Sequence, residues 1–268
     1  MPHTSNLHSG VLADSLVIIP TYNERENIAA MVRAVFALPH AFHLLIVDDG
    51  SPDGTAQIVR DLQLQFSGSL HLLERKGKLG LGTAYIAGFK WGLEHGYDYL
   101  FEMDADFSHN PKDLIRLWEA CSDQGAGVAV GSRYVRGGSV ENWPFDRKFL
   151  SYGASLYVRF VTWMPVKDPT AGFICYRREV LESLGLDAIR FVGYAFQIEM
   201  KFAAWLLGFK VKEVPITFKD REEGVSKMSS KIIKEAIFGV LQMKWSSLLG
   251  SFPVRSTKQP LTDNGKVV

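Results

Sequence analysis

The feature that most constrains this 268-residue chain is an alternation: short apolar runs take turns with stretches of helical periodicity, and each run empties into a polar or glycine-rich cluster. Leu16-Val-Ile-Ile19 stops at Pro20, and Leu44-Leu-Ile-Val47 ends in Asp48-Asp49-Gly50. Leu70-His-Leu-Leu73 leads to a glycine-rich turn, Tyr99-Leu-Phe-Glu-Met103 ends at Asp104, and Val128-Ala-Val130 ends at Gly131-Ser-Arg133. Asn23, with Glu26 three residues on, reads as the capping box of a helix. Helical patterns follow at about 55–66 and 81–95, and another opens at Asn110-Pro111, Asn as cap and Pro in the first helical position. Strands alternating with helices of this length make βαβ units, hence an α/β, Rossmann-like fold with a mostly parallel sheet covered on both faces. Further on, the pattern predicts a helix over about 147–163, a strand over Gly172-Phe-Ile-Cys-Tyr176, a helix over 195–207 stopped by a left-handed Gly208, and one strand over 210–218. No repeat or linker divides the chain, so residues 15–250 read as one domain between tails at 1–14 and 251–268.

Composition serves mainly to exclude. Lys and Arg number 30 against 29 Asp and Glu, a net charge of +1, so nucleic-acid binding by bulk positive charge is not expected. Cys121 and Cys175 are too few for a thiolate zinc site and read as free thiols in a reducing compartment. The N-terminus lacks a signal-peptide pattern, and no run of about 18 apolar residues is present for a membrane span. A cytoplasmic protein is therefore expected.

In an open parallel sheet, ligands bind outside the carboxyl ends of the strands. Four polar clusters are delivered to that edge: Pro20-Thr-Tyr-Asn-Glu24, Asp48-Asp-Gly-Ser-Pro-Asp-Gly-Thr55, Asp104-Ala-Asp106 and Gly131-Ser-Arg133. Asp53, Asp61 and Asp113 read as loop polarity and helix capping. The Asp-x-Asp pair is the most chemical, since two carboxylates two residues apart on extended chain face the same way and can hold a hard divalent cation such as Mg²⁺ or Mn²⁺. No Gly-x-Gly-x-x-Gly follows the first strand. The glycines of Lys76-Gly-Lys-Leu-Gly-Leu-Gly82 lack a Walker ending, so neither dinucleotide redox chemistry nor a P-loop is indicated.

Several of these segments resemble the inverting family 2 glycosyltransferases of GT-A fold: Pro20-Thr-Tyr-Asn-Glu-Arg-Glu-Asn27, Val47-Asp-Asp-Gly-Ser-Pro-Asp-Gly-Thr55, Lys78-Leu-Gly-Leu-Gly-Thr-Ala-Tyr85 and Met103-Asp-Ala-Asp-Phe-Ser-His109. Glu141-Asn-Trp143, Asp168-Pro-Thr-Ala-Gly-Phe173, Tyr194-Ala-Phe-Gln197 and Asp220-Arg-Glu-Glu-Gly-Val-Ser-Lys227 narrow the resemblance to polyprenol-phosphate mannosyltransferases, the dolichyl-phosphate mannose synthases. It implies a nucleotide-sugar donor, GDP-mannose, with Pro20, Tyr22, Glu24, Val47 and Asp49 at the nucleoside, and Asp104, Ala105 and Asp106 at metal and diphosphate. Where the family often has Gln, this chain has Ser108, a shorter third metal ligand whose place a water can take. Arg133, Arg221 and Lys227 match donor-phosphate contacts.

The acceptor implied is a polyprenyl phosphate whose oxygen attacks the anomeric carbon. It is already ionised, so no strong general base is needed, and His109 reads as a helix-flanking residue. Arg136, Arg147 and Lys148 flank the loop, with Arg147 at the family's acceptor-loop arginine. The loop and helix over about 134–165 carry Leu150, Tyr152, Leu156, Tyr157, Phe160, Val161 and Trp163, read either as core or as a surface lying on the membrane. The link to the bilayer is then peripheral contact or a membrane partner. Asp104, Asp106, Arg133 and Arg147 are the expected catalytic residues. A UDP-glucose-dependent polyprenyl-phosphate glucosyltransferase, or a family 2 enzyme acting on a glycan, is the alternative. A pyrophosphorylase-like enzyme lacks its glycine-rich start here, and the intact Asp pair argues against a catalytically dead scaffold.

Overall fold

The computed structural model describes residues 13–220, 230–250 and 252. Its centre is a seven-stranded sheet in the order β3-β2-β1-β4-β7-β5-β8. The first half follows the alternation in the sequence: β1 (Ser15–Thr21), α1 (Ile28–Phe36), β2 (Phe42–Asp48), α2 (Thr55–Gln63), β3 (Leu70–Glu74), α3 (Leu81–Glu94), β4 (Tyr99–Glu102), α4 (Asp113–Ser122) and β5 (Val128–Ser132). Strands β1 and β2 are buried on both faces, as their unbroken apolar runs require. One face packs on α1, α2 and α4, and the other on α3 and the later helices.

Then come β6 (Ser139–Glu141), α5 (Phe145–Thr162), β7 (Ile174–Arg177), α6 (Arg178–Ser183), α7 (Tyr194–Leu206), β8 (Val211–Pro215), β9 (Thr217–Lys219) and α8 (Ser230–Leu248). Strand β7 is inserted antiparallel between β4 and β5, with Phe101 opposite Cys175 and Ala129 opposite Cys175 on the other side. The single strand expected over 210–218 is in fact two. Pro215 has no N–H to donate, and at Ile216 the chain leaves the large sheet to pair, as β9, with β6. This small parallel ladder, Ser139 opposite Thr217 and Glu141 opposite Lys219, was not visible in so short a segment.

Two cap expectations are corrected. Asn23 is not a helix cap. It stands at φ 63°, its N–H donates to Ser51 Oγ at 3.0 Å, and the helix begins only at Ile28 after a turn closed on the Glu24 carbonyl. Asn110 starts a turn one step before α4, its side chain accepting the Lys112 N–H at 3.1 Å. Gly208 is left-handed, as expected, at φ 85°. Cys121 and Cys175 are free and buried against each other's chain segments, Cys121 Sγ lying 3.7 Å from the Cys175 carbonyl.

Candidate active site

The carboxyl edge of β1, β2, β3 and β4 carries the first half of the site. Asp48, at the end of β2, accepts from Thr21 Oγ1 at 2.8 Å and from Ser51 N and Oγ at 2.9 and 2.6 Å, tying the first two clusters together. Asp49 is buried, and its two oxygens receive Arg75 Nε at 2.6 Å and Nη2 at 3.1 Å. Arg75 also donates to Thr83 Oγ1 at 3.0 Å, so it joins the glycine-rich turn to β2. Sequence reading missed Arg75, although it stands just past the end of β3, where the strand-end rule would have found it. Tyr22 is partly exposed, with Lys78 Nζ 4.8 Å from its ring centre. Glu24 Oε2 accepts from Asn27 Nδ2 at 3.0 Å. Pro20 lies near the end of β1, and Val47, opposite it in β2, is wholly buried.

Past β4, the Asp104-Ala105-Asp106 turn is tightly built. Asp106 Oδ1 accepts the Ser108 N–H at 3.0 Å and its hydroxyl at 2.6 Å, with Phe107 left-handed between them. Ser108 therefore orients the Asp106 carboxylate. Ala105 is buried beneath. His109 flanks α4 as expected, just ahead of the turn that opens the helix, but it does more than flank it. It is buried, stacked on Phe173 with centroids 4.9 Å apart, and its Nδ1 faces the Asp104 N–H at 3.5 Å. The oxygens of Asp104 and Asp106 suit a hard cation. No group of three or more Asp, Glu, His or Cys that could hold a metal ion is present among the described residues.

Beneath this turn lies a buried polar layer, of which the sequence motifs included Gln197 but gave no role to Glu102 or Lys201. Gln197 Nε2 donates to Glu102 Oε2, and Lys201 Nζ donates to the Ala171 carbonyl at 2.7 Å. Burial pushes the Glu102 carboxyl up to about 8, against the pull of Gln197 and Lys201, and drags Lys201 down to about 8, against the attraction of Glu102 and Asp168.

The second half of the site comes from the loop after β5. Arg133 is nearly buried and forks onto Asp168, Nε to Oδ2 at 2.8 Å and Nη2 to Oδ1 at 2.7 Å, with Thr170 Oγ1 at 2.9 Å. Burial opposes the charge on both partners and their mutual attraction outweighs it, so Asp168 sits below the usual carboxyl range and Arg133 above its own. Arg147, in the first turn of α5, donates to both oxygens of Asp220 and lies over the Trp143 ring at 4.2 Å. Arg133 is 5.6 Å from the same ring centre. Trp143 meets Phe218 edge-on, and Phe218 meets His109, so the aromatic stack runs from the acidic turn to Arg147. Lys148 is half-buried and Arg136 exposed. Arg221 and Lys227 lie outside the described residues.

The mostly parallel seven-stranded sheet, with helices on both faces, is a GT-A fold. The sequence model of "Glycosyl transferase family 2" matches residues 16–185, and the chain belongs to that family. It is 52% identical over 85% of its length to a polyprenol monophosphomannose synthase of Mycolicibacterium smegmatis, covering 86% of that protein. It is 48% identical over 87% of its length to an undecaprenyl-phosphate mannosyltransferase of Micrococcus luteus, covering 96% of it. Among solved structures, a mannosyltransferase of Pyrobaculum calidifontis in complex with GDP-Man and Mn²⁺ shares the fold, with a TM-score of 0.52 and 16% identity over 89% of this chain and 74% of that one.

Proposed function

We propose that the enzyme transfers mannose from GDP-mannose to a polyprenyl phosphate, with inversion at the anomeric carbon. The observation that carries this is the meeting of the Asp104–Asp106 turn with Arg133 and Arg147, through one aromatic stack, at the carboxyl edge of the sheet. Support comes from relatives near 50% identity that bear the names of polyprenyl-lipid mannosyltransferases.

Asp104 and Asp106, with Ala105 between them, would hold a divalent cation, Mg²⁺ or Mn²⁺, beside the donor diphosphate. A cation bound there supplies charge neutralisation for the leaving GDP. Tyr22 packs against the base, and Pro20, Glu24, Val47 and Asp49 line the nucleoside. Arg75 holds Asp49 ready, so the carboxylate does not have to be ordered by the ligand. Arg133, anchored by Asp168, presents its charge from a fixed place, and Arg221 and Lys227 complete the donor contacts. On the other side Arg136, Arg147 and Lys148 receive the lipid phosphate. One of its oxygens attacks C1, the C1–O bond to the diphosphate breaks, and GDP departs. No proton has to move, because the attacking phosphate is already ionised.

The lipid arrives from a membrane on which the protein lies peripherally, at the cytoplasmic face. Helix α5 leaves Phe149 72% and Phe160 81% exposed, while only Ser155, Val158 and Thr162 of this helix are buried. Helix α8 leaves Phe238, Trp245 and Leu248 exposed in the same way. No helix among the described residues is long and apolar enough to cross a membrane, so these residues suit an interfacial surface. The test is competition between GDP-mannose and UDP-glucose over one short polyprenyl phosphate. Mannose transfer is expected, and preferential glucose transfer would reassign the donor.

A further inference from the structure

We infer that Asp220 is a positioning residue for the acceptor phosphate and acts through Arg147, an inference that rests on the acceptor role proposed for Arg147. A guanidinium offers three nitrogens. Both oxygens of Asp220 are drawn to one of them, Nη1, at 2.8 and 2.9 Å. Nε and Nη2 have no hydrogen-bond partner among the described residues. Those two nitrogens form the planar edge that matches two oxygens of a phosphate. One corner of Arg147 is used for anchoring, and the bidentate edge is left for the ligand.

The anchor is itself well founded. The β6–β9 ladder carries Asp220 to the acceptor loop, and its N–H reaches the Glu141 carbonyl at 3.3 Å. The Trp143 indole covers one face of the guanidinium at 4.2 Å and is braced by Phe218, with ring centres 5.4 Å apart and planes at 70°. Arg147 is thus held by a carboxylate at one corner and an aromatic plane at one face, both supplied by the protein. An arginine that is already ordered gives up less rotamer freedom when the phosphate arrives.

The opposite reading is that Asp220 occupies the phosphate's own place and must be displaced. A competing anion would take the bidentate edge; this one takes a single nitrogen. The two readings differ in sign, and that makes the experiment decisive. Acceptor KM, kcat and donor KM are measured with a short polyprenyl phosphate and GDP-mannose for the parent, Asp220→Asn, Asp220→Glu, Arg147→Ala and the double variant Asp220→Asn/Arg147→Ala. Asp220→Asn is expected to raise acceptor KM by about tenfold, the order of a weakened charge-assisted contact, and to leave donor KM unchanged. Asp220→Glu recovers part of that loss, and in the Arg147→Ala background Asp220→Asn has no further effect. A fall in acceptor KM, an equal rise in donor KM, or the same rise with Arg147 absent overturns the inference. If Arg147→Ala raises acceptor KM while Asp220→Asn does not, only the positioning role falls. If Arg147→Ala leaves acceptor KM unchanged, the acceptor reading falls and takes this one with it.

Discussion

Arg75 shows what a sequence hides at the scale of single residues. Asp49 was legible because two acidic residues follow an apolar run, whereas its partner sits 26 residues on and follows a strand of only five residues. The same holds for His109, Gln197 and Lys201, whose meaning comes from contacts made across the sheet. Asp106, by contrast, was legible from its own neighbours. Asp106→Ala is expected to abolish sugar transfer while leaving the chain folded, the lost bonds to Ser108 costing about 1–3 kcal/mol. A transfer assay run beside a thermal melt separates the two effects, and full activity in excess chelator would argue against the metal. A second prediction concerns pH. Burial lowers the imidazole pKa of His43 and of His71, and His71 is also repelled by His43 and His95. Because the folded values lie below 6.5, the unfolded chain takes up these protons first. The stability these residues contribute is therefore complete above about 6.5 and declines as pH falls through that value, levelling off below the folded ones. Urea midpoints between pH 7.5 and about 5 should show this slope, and His43→Gln with His71→Gln should make it shallower, leaving the part due to His40, whose pKa burial also lowers.

Elements were legible where they repeat the alternating pattern and were misread where they break it. Strands β1 to β5 follow from their apolar runs. The antiparallel direction of β7 has no signature in Gly172-Phe-Ile-Cys-Tyr176, and the division at Pro215 is imposed by Ser132 and Ser139, which bond either side of Ile216. Helix α3 carries a sharper lesson. Its Gly88 lies so close to β1 that an added Cβ would stand 2.5 Å from Ile18 Cγ2, on a β-branched side chain with little freedom to move. Helix propensity alone favours Gly88→Ala by about 1 kcal/mol, while overpacking costs about 1–3 kcal/mol. Overpacking should dominate, so the substitution is expected to lower stability by up to about 2 kcal/mol, measured by chemical denaturation. A more stable variant would mean that α3 can lift off the sheet freely.

For the whole molecule, the sheet core was legible, and so was an apolar stripe on the helix after the acceptor loop, though core and interface fitted it equally well. The stripe divides: Tyr157 and Val161 pack against a buried cluster, while Phe160 and Trp163, with the neighbouring Phe145 and Phe149, are exposed. Phe149→Glu with Phe160→Glu is therefore expected to reduce vesicle binding about tenfold or more, with donor affinity and melting temperature unchanged, as co-sedimentation with anionic lipid vesicles would show. A loss of stability instead would place these rings in a core. The insertion of β7 between β4 and β5 has a consequence of another kind. Residues 133–173, which hold the acceptor loop and α5, form a single excursion between two neighbouring strands. Closing such a loop carries a logarithmic entropy cost, so doubling its length adds only about 0.6 kcal/mol. Exposed turns within this excursion can therefore be lengthened or shortened at small thermodynamic cost, while the strands on either side keep their register. In this architecture the segment after β5 can vary in length while the strand ends that carry Asp49 and the Asp104–Asp106 turn stay where the sheet holds them.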